Sequence, residues 1–278
     1  LRLIQIPYKQ VVRGLYKAYK LFKKENKPDT LVSSQDPFEV GMLSYLFSKA
    51  LKKPLHVQVH TSIESPYFKR ESLRHSIQYD LSRFILKRAK SIRVVSNRIK
   101  KFITENLKVS EDRIFVAPIY AGDLENKDLG DIQKENVILM LSRIEKVKNV
   151  GLGIEAFLEL VKNEQYGDYR LEIVGEGSLK ATLQEKYKNY SNKIWKPWTT
   201  EPEKEYAKAK VFLVTSAYEG WGMAPIEAIS LGTPVVMTDV GCANECIFDN
   251  ENGQVAKSFE IHEVKEKLNF SIGNKPKL

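Results

Sequence analysis

Two carboxylates, Glu219 and Glu227, flank a glycine loop within Ser216–Val236, SAYEGWGMAPIEAISLGTPVV. The run before it, KVFLVTS, is apolar enough to form a buried central strand, so the loop begins where that strand leaves a sheet. Gly220 and Gly222 let the backbone turn tightly and approach a ligand closely. Pro225 suits a first helical turn and Gly232 a helix stop, so the sequence predicts a helix beginning at the loop. The unpaired N–H groups at its start attract an anion such as phosphate. Two acids beside an anion site make sense when the ligand also carries hydroxyls. Glu219 can accept from a sugar and Glu227 from a ribose diol. Taken singly, each glutamate also reads as an ordinary turn or first-turn acid; the constellation points to a ligand.

A phosphate needs cations as well. Arg143 and Lys148 follow the apolar run VILM directly, in LSRIEKVKNV, which places them at the end of a second strand. Arginine offers a planar fork and lysine a point charge, a pair able to neutralise a diphosphate without metal. The chain contains no Asp-x-Asp pair for a bridging metal, and no metal or cofactor is expected. A further glycine turn, VGEGSLK, carries Lys180 where a dinucleotide fingerprint would have its third glycine, which disfavours a nicotinamide enzyme.

Short apolar runs alternate with amphipathic stretches along the whole chain, the pattern of parallel α/β layers. In the first half, YKQVVRGLYKAYKLFKKENK reads as a helix and PDTLVSSQ as a strand. EVGMLSYLFSKALKK (helix), PLHVQVH (strand ending in His60), LSRFILKRAKSIRVVS (helix into strand), NRIKKFITENL (helix) and RIFVAPIY (strand) complete that half. Residues 1–122 form one expected domain, 123–136 a polar linker and 137–278 a second domain. The second repeats the alternation through VILMLSRI, YRLEIVG, KIWKPW, KVFLVTS and PVVMTDV as strands, with a tail through SFEIHEVKEKLNF. KIWKPW holds Trp195 and Trp198, aromatics that lie either near a nucleotide base or in the core. The expected architecture is two doubly wound parallel-sheet units, with ligands at the carboxyl ends of their strands.

The 278 residues are 42% hydrophobic, enough for a sizeable core, and no apolar run is long enough to span a bilayer. Cys242 and Cys246, the only cysteines, are too few for a disulfide framework or a four-cysteine metal site and read as small buried side chains in a reducing compartment. Charge is unevenly placed. Residues 1–130 hold 25 Lys+Arg against 13 Asp+Glu, a balance of +12, whereas residues 131–278 hold 19 against 22, a balance of −3. The basic half implies an anionic partner or a solvated lysine-rich face. No basic-aromatic or helix-turn-helix pattern accompanies it, so nucleic acid is not the expected partner.

Together, the Glu219-to-Glu227 spacing in EGWGMAPIEA, the pair Arg143 and Lys148, the Gly175–Gly177 turn and VHTSIES resemble the retaining nucleotide-sugar glycosyltransferases of family 4, which have the GT-B fold. That fold is two Rossmann-like domains facing across a cleft. By that resemblance Arg143 and Lys148 hold a UDP- or GDP-type donor diphosphate. Glu219, Gly220, Trp221, Gly222, Met223 and Ala224 surround the donor sugar, Gly175 is donor-binding, Glu227 binds ribose, and His60 reaches the sugar from the first domain. The resemblance implies an enzyme that needs no metal and keeps the anomeric configuration, and the basic first half suits a lipid-linked or polysaccharide acceptor at a membrane surface. Such an enzyme would be cytoplasmic, peripheral on the inner face of an anionic membrane. The family's opening Gly-rich loop and closing helices have no counterpart here, so the chain reads as a fragment with an incomplete acceptor domain. A non-catalytic sugar-nucleotide-binding module and a nucleotide-sugar epimerase are the alternatives.

Overall fold

A computed structural model of the chain describes residues 30–122 and 129–274, with Lys20, Lys24 and Leu124 besides. The first helix expected from the sequence, YKQVVRGLYKAYKLFKKENK, lies outside the described residues apart from those two lysines. The chain divides into two compact units. One holds the residues up to Val94 and Ile99–Ala117, and the other holds Val95–Arg98 and everything from Pro118 onward.

The first unit is built on a parallel sheet of β1 (Val32–Ser34), β2 (Leu55–Val59), β3 (Ser91–Val94) and β4 (Ile114–Val116), in chain order. Register pairs Val57 with Ile92 and Ile92 with Ile114. Along β2 the alternate residues Leu55, Val57 and Val59 are buried, as the period of two in LHVQV requires. Helices α1 (Glu39–Leu51), α2 (Pro66–Arg70), α3 (Leu73–Leu86) and α4 (Asn97–Glu105) connect these strands. The helices α2 and α3 are each started by a serine whose hydroxyl accepts a backbone N–H: Ser65 from Tyr67 and Ser72 from His75.

The second unit carries β5 (Val137–Leu141), β6 (Arg170–Val174), β7 (Val211–Val214), β8 (Val235–Thr238) and β9 (Gly253–Ala256). All pairs are parallel and the spatial order is β6-β5-β7-β8-β9. Strand order therefore reverses between β5 and β7, and at such a switch point the loops diverge to opposite faces and leave a crevice at the carboxyl ends. Helices α5 (Val150–Leu160), α6 (Lys180–Lys186), α7 (Ser191–Ile194), α8 (Pro202–Lys208), α9 (Met223–Ser230) and α10 (Ile261–Gly273) cover the sheet. The core of this unit runs from Ile138 and Met140 through Phe157 and Leu171 to Leu213, Val236 and Leu268.

Three segments differ from the sequence reading. KIWKPW is not a strand: Lys193 and Ile194 end the short helix α7, and the segment meets the sheet edge through a single parallel bridge, Trp195 to Ile173, with the Lys196 N–H donating to the Ile173 carbonyl at 3.3 Å. The stretch GQVA, read as tail, is the strand β9, where Gly253 lets the chain close on β8; a Cβ there would lie 2.3 Å from the Val235 carbonyl oxygen. SFEIHEVKEKLNF is mostly the helix α10. Glu263 in its first turn accepts the N–H groups of Lys257 and Ser258 at 2.7 and 2.9 Å, and Val264 and Leu268 are buried against α5.

Candidate functional site

A cavity of about 240 Å³ opens at the β5–β7 switch point. Its walls are the carboxyl ends of β5 and β7, the loops after them, and the start of α9, all in the second unit. Of the residues singled out from sequence, Arg143, Lys148, Glu219, Gly222, Met223 and Ala224 line it.

Each wall has a local cause. The lysine turn Lys146–Lys148 is tied to the end of β7: the Thr215 hydroxyl donates to the carbonyls of Lys148 and Asn149 at 3.1 and 2.9 Å, and Ala217 N–H donates to Val147 at 2.7 Å. Asn149 takes the left-handed conformation, φ 46°, to turn directly into α5. The loop carrying Arg143 leans on the glycine turn that follows β6. Ser142 and Ile144 donate to the carbonyls of Val174 and Glu176, and Leu179 donates back to Ile144. A Cβ on Gly175 would sit 1.9 Å from the Ser142 carbonyl oxygen, and one on Gly177 2.3 Å from that of Ile144. The two glycines thus fix where the Arg143 loop runs, and Gly175 itself does not reach the cavity wall. The Gly175→Ala variant is expected to lose about 1–3 kcal/mol of stability from backbone overpacking. Urea unfolding checks it; a midpoint equal to that of the native chain would show that the turn yields without cost.

At the opposite wall, Gly222 has φ +89° and no side chain caps α9. The N–H groups of Met223 and Ala224 begin the helix at the cavity, and Pro225, which has none, completes the first turn there. Gly232, φ +71°, stops the helix as the sequence predicts, with its N–H on Ile229 at 3.0 Å. Inside the cavity Lys148 Nζ forms an ion pair with Glu219, whose Oε1 also accepts from the Ser216 hydroxyl at 2.7 Å. Both side chains are largely sheltered, with 20% and 16% exposure. A further hydroxyl, that of Thr238, holds the Ser216 carbonyl at 2.7 Å.

Five of the expected residues stand elsewhere. Trp221 is 5% exposed and is not part of the cavity wall; its carbonyl accepts the Cys242 N–H at 2.7 Å. Gly220 and Gly175 do not line the cavity. Glu227, one turn into α9, accepts the Tyr206 hydroxyl at 3.0 Å. Tyr206 is buried, and burial followed by the charge of Glu227 raises its phenol above the ordinary range, so it stays a donor. His60 belongs to the first unit, at the end of β2, with Nε2 3.3 Å from Gln58 Oε1. Burial, then the neighbouring Arg93, lowers the imidazole pKa, which favours the neutral ring. Sequence reading passed over Thr215 and Ser216, although their place at the end of KVFLVTS was signal enough. It could not have found Tyr206 or Cys242, which reach the glycine loop and α9 only through tertiary packing. Cys242 lies buried beneath Gly222, its sulfur 3.8 Å from that carbonyl oxygen, and burial pushes the thiol up to about 12. Cys246 is half-buried, and both thiols are free.

Residues 123–278 match the family described as Glycosyl transferases group 1, and residues 4–119 match Glycosyltransferase Family 4. The chain belongs to the group 1 glycosyl transferases. The chain is 31% identical over 146 residues to the poly(ribitol-phosphate) alpha-N-acetylglucosaminyltransferase of Staphylococcus aureus, covering 51% of this chain and 29% of that protein. It is 26% identical over 255 residues to an Escherichia coli UDP-Gal:alpha-D-GlcNAc-diphosphoundecaprenol alpha-1,3-galactosyltransferase, covering 86% and 65%. Among solved structures, a point mutant of S. aureus TarM in complex with Fondaparinux, alpha-GlcNAc-glycerol and UDP superposes with a TM-score of 0.75 at 21% identity, over 94% of this chain and 52% of that one. Anabaena HepE in complex with UDP gives 0.75 at 18% identity, over 95% and 73%. These likenesses show the GT-B fold. The chain spans between about a third and two thirds of these two relatives, and no helix among its described residues is long and apolar enough to cross a membrane.

Proposed function

We propose that the protein transfers a sugar from a nucleoside-diphosphate donor, of UDP or GDP type, to a phosphate-bearing acceptor, lipid-linked or polymeric. The observation that carries this reading is the Lys148–Glu219 pair inside a cavity at the sheet's switch point, facing the start of α9. A cation and a carboxylate that neutralise one another are each available to a ligand with both charge and hydroxyls. The donor diphosphate takes Lys148, Arg143 and the N–H groups of Met223 and Ala224. Glu219, released from Lys148, accepts hydrogen bonds from the sugar. As the bond from the anomeric carbon to the diphosphate breaks, negative charge grows on the leaving oxygen beside Arg143 and Lys148, and stabilising that charge is their catalytic contribution. A metal is not required, since the two side chains and the helix start supply positive charge where the leaving group develops its own.

The sugar keeps its anomeric configuration in this reading. Nucleotide sugars are commonly α-linked, and the names of both relatives above specify alpha products, so transfer of the same kind retains configuration. Their acceptors, a ribitol-phosphate polymer and a diphosphate-linked lipid, are anionic, which suits the +12 balance of residues 1–130. Work on such acceptors suits a protein inside the cell at the membrane face.

Calorimetric titration with UDP, GDP and ADP tests the donor half. One nucleotide is expected to saturate a single site in the native chain and to bind far more weakly to Arg143→Ala; no binding of any of the three would end the proposal. The Tyr206→Phe variant is expected to weaken the selected nucleotide about five- to tenfold, because Glu227 loses the hydroxyl that aims it at ribose. Its affinity for the 2′-deoxy nucleotide should change less. Equal losses for both would remove ribose from Glu227.

A further inference from the structure

We propose that Ser216 and Thr238 are positioning residues for Glu219: two hydroxyls, relayed from the end of β8, keep that carboxylate aimed into the cavity when Lys148 turns to the donor diphosphate. The inference rests on the proposed function. A strand buried on both faces normally carries Val, Ile and Leu, but β8 reads VVMT, and its Thr238 is 1% exposed. A buried hydroxyl is costly unless it is hydrogen-bonded, and a valine has nearly the same shape without that demand. The Thr238 hydroxyl donates to the Ser216 carbonyl at 2.7 Å. That carbonyl lies beyond Val214, the last residue of β7 paired with β8. Ser216 is also 1% exposed, and the single proton of its hydroxyl goes to Glu219 Oε1 at 2.7 Å.

Lys148 Nζ and the Ser216 hydroxyl hold the same oxygen of Glu219, Oε1. Once a diphosphate takes the ammonium, the ion pair no longer fixes the side chain. Arg143, another cation on the cavity wall, would then draw the carboxylate toward the phosphates, where its charge is unwelcome. The hydrogen bond from Ser216 survives the exchange and leaves Oε2 for the hydroxyls of the sugar. The stem of Glu219 is confined as well. A Cβ on Gly241, φ +55°, would lie 2.9 Å from that of Glu219, so the loop after β8 packs directly against it. None of the residues lining the cavity belongs to β8, yet this strand and its loop set the Glu219 side chain from two sides. Thr215, likewise 1% exposed, anchors the carbonyls of Lys148 and Asn149 instead. It holds the backbone of the lysine turn and leaves the ammonium free to move, whereas Ser216 holds the carboxylate itself.

Calorimetric titration of the full chain and its variants with UDP and UDP-glucose, and with GDP and GDP-mannose alongside, tests the relay. Ser216→Ala is expected to weaken the sugar nucleotide about tenfold and the nucleotide alone less than about twofold. Thr238→Val should act in the same direction by about three- to fivefold, and Thr238→Ser, which keeps the hydroxyl, should bind like the native chain. In a Glu219→Ala background neither Ser216→Ala nor Thr238→Val should cost anything further, because both act through that carboxylate. Circular dichroism reports whether each variant is folded; should Ser216→Ala fail to fold, the contrast between Thr238→Val and Thr238→Ser carries the test. No binding of either nucleotide by the native chain would overturn the transferase reading and the relay with it. Nucleotide binding with equal losses for nucleotide and sugar nucleotide, or with undiminished losses in the Glu219→Ala background, would overturn the relay alone.

Discussion

Lys148→Ala is expected to lower kcat/KM for sugar transfer by about two to three orders of magnitude, with most of the loss in kcat. Two effects of the substitution add. On the proposed function the donor loses a cation at the atoms that gain charge in the transition state, and Glu219, 16% exposed, keeps the Ser216 hydroxyl as a partner. A sheltered carboxylate without its cation also repels the diphosphate, so nucleotide affinity should fall as well. Lys148→Arg is expected to recover part of the affinity but little of the rate, because a planar fork cannot replace a point charge in the same turn. Steady-state kinetics with the nucleotide sugar chosen by titration would check this. A Lys148→Ala enzyme with unaltered kcat would place the leaving diphosphate elsewhere in the cavity.

The second large effect concerns stability rather than chemistry. Beneath the edge of the second sheet, Glu172 of β6 and Glu205 of α8 share two lysines: Lys196 lies 3.1 and 2.5 Å from them, and Lys208 3.1 and 3.0 Å. The four side chains are between 11 and 23% exposed. Lys208→Met would leave the two sheltered carboxylates with one ammonium between them and, 3.6 Å from Glu172, the more exposed guanidinium of Arg170, at a cost of about 3 kcal/mol. Pairing it with Glu205→Leu restores charge balance around Lys196 and Glu172, and the double variant should be clearly more stable than Lys208→Met alone. Acid should act on the same cluster. Burial opposes the charge on Glu172, but hydrogen bonds from Lys208 and Lys196 outweigh it and lower its pKa from the ordinary 4.5. Its contribution is therefore full above that value and fades as pH falls through the lowered one. Urea unfolding of the three chains across this range would decide; a double variant no better than the single would show that the charges act independently.

What the sequence disclosed and what it withheld have physical reasons. β5 and β7 were legible because strands buried on both faces read as unbroken apolar runs. The start and stop of α9 were legible because glycine and proline constrain the backbone locally, at Gly222, Pro225 and Gly232. Strand β9 was not, because its glycine and Gln254 interrupt the apolar pattern, although all four of its residues are buried beside β8. KIWKPW misled for the opposite reason: Ile194 is buried and Trp195 half-buried, but against a helix turn and a single bridge, while Trp198 is exposed. The site showed the same division. Arg143, Lys148 and Glu219 could be chosen from their positions after strands, whereas the pairing of Lys148 with Glu219 and the hold of Tyr206 on Glu227 are tertiary facts. Trp221, which lies inside the glycine motif, serves the packing beneath the loop instead.

The strand order of the second unit also sets a timetable. β5 and β6 follow one another and can pair as soon as both have left the ribosome, but the switch point needs β7, and Glu219 lies 71 residues after its lysine partner. At about 5–20 residues per second, roughly 4–14 s of synthesis separate the emergence of Lys148 from that of Glu219. During that interval a nascent chain presents a finished β5–α5–β6 crossover with no nucleotide-binding crevice, so ligand cannot guide its early folding. On the proposed function, donor binding can begin only once more than half of the unit has been made, which would make nucleotide capture a natural reporter for the late steps of its assembly.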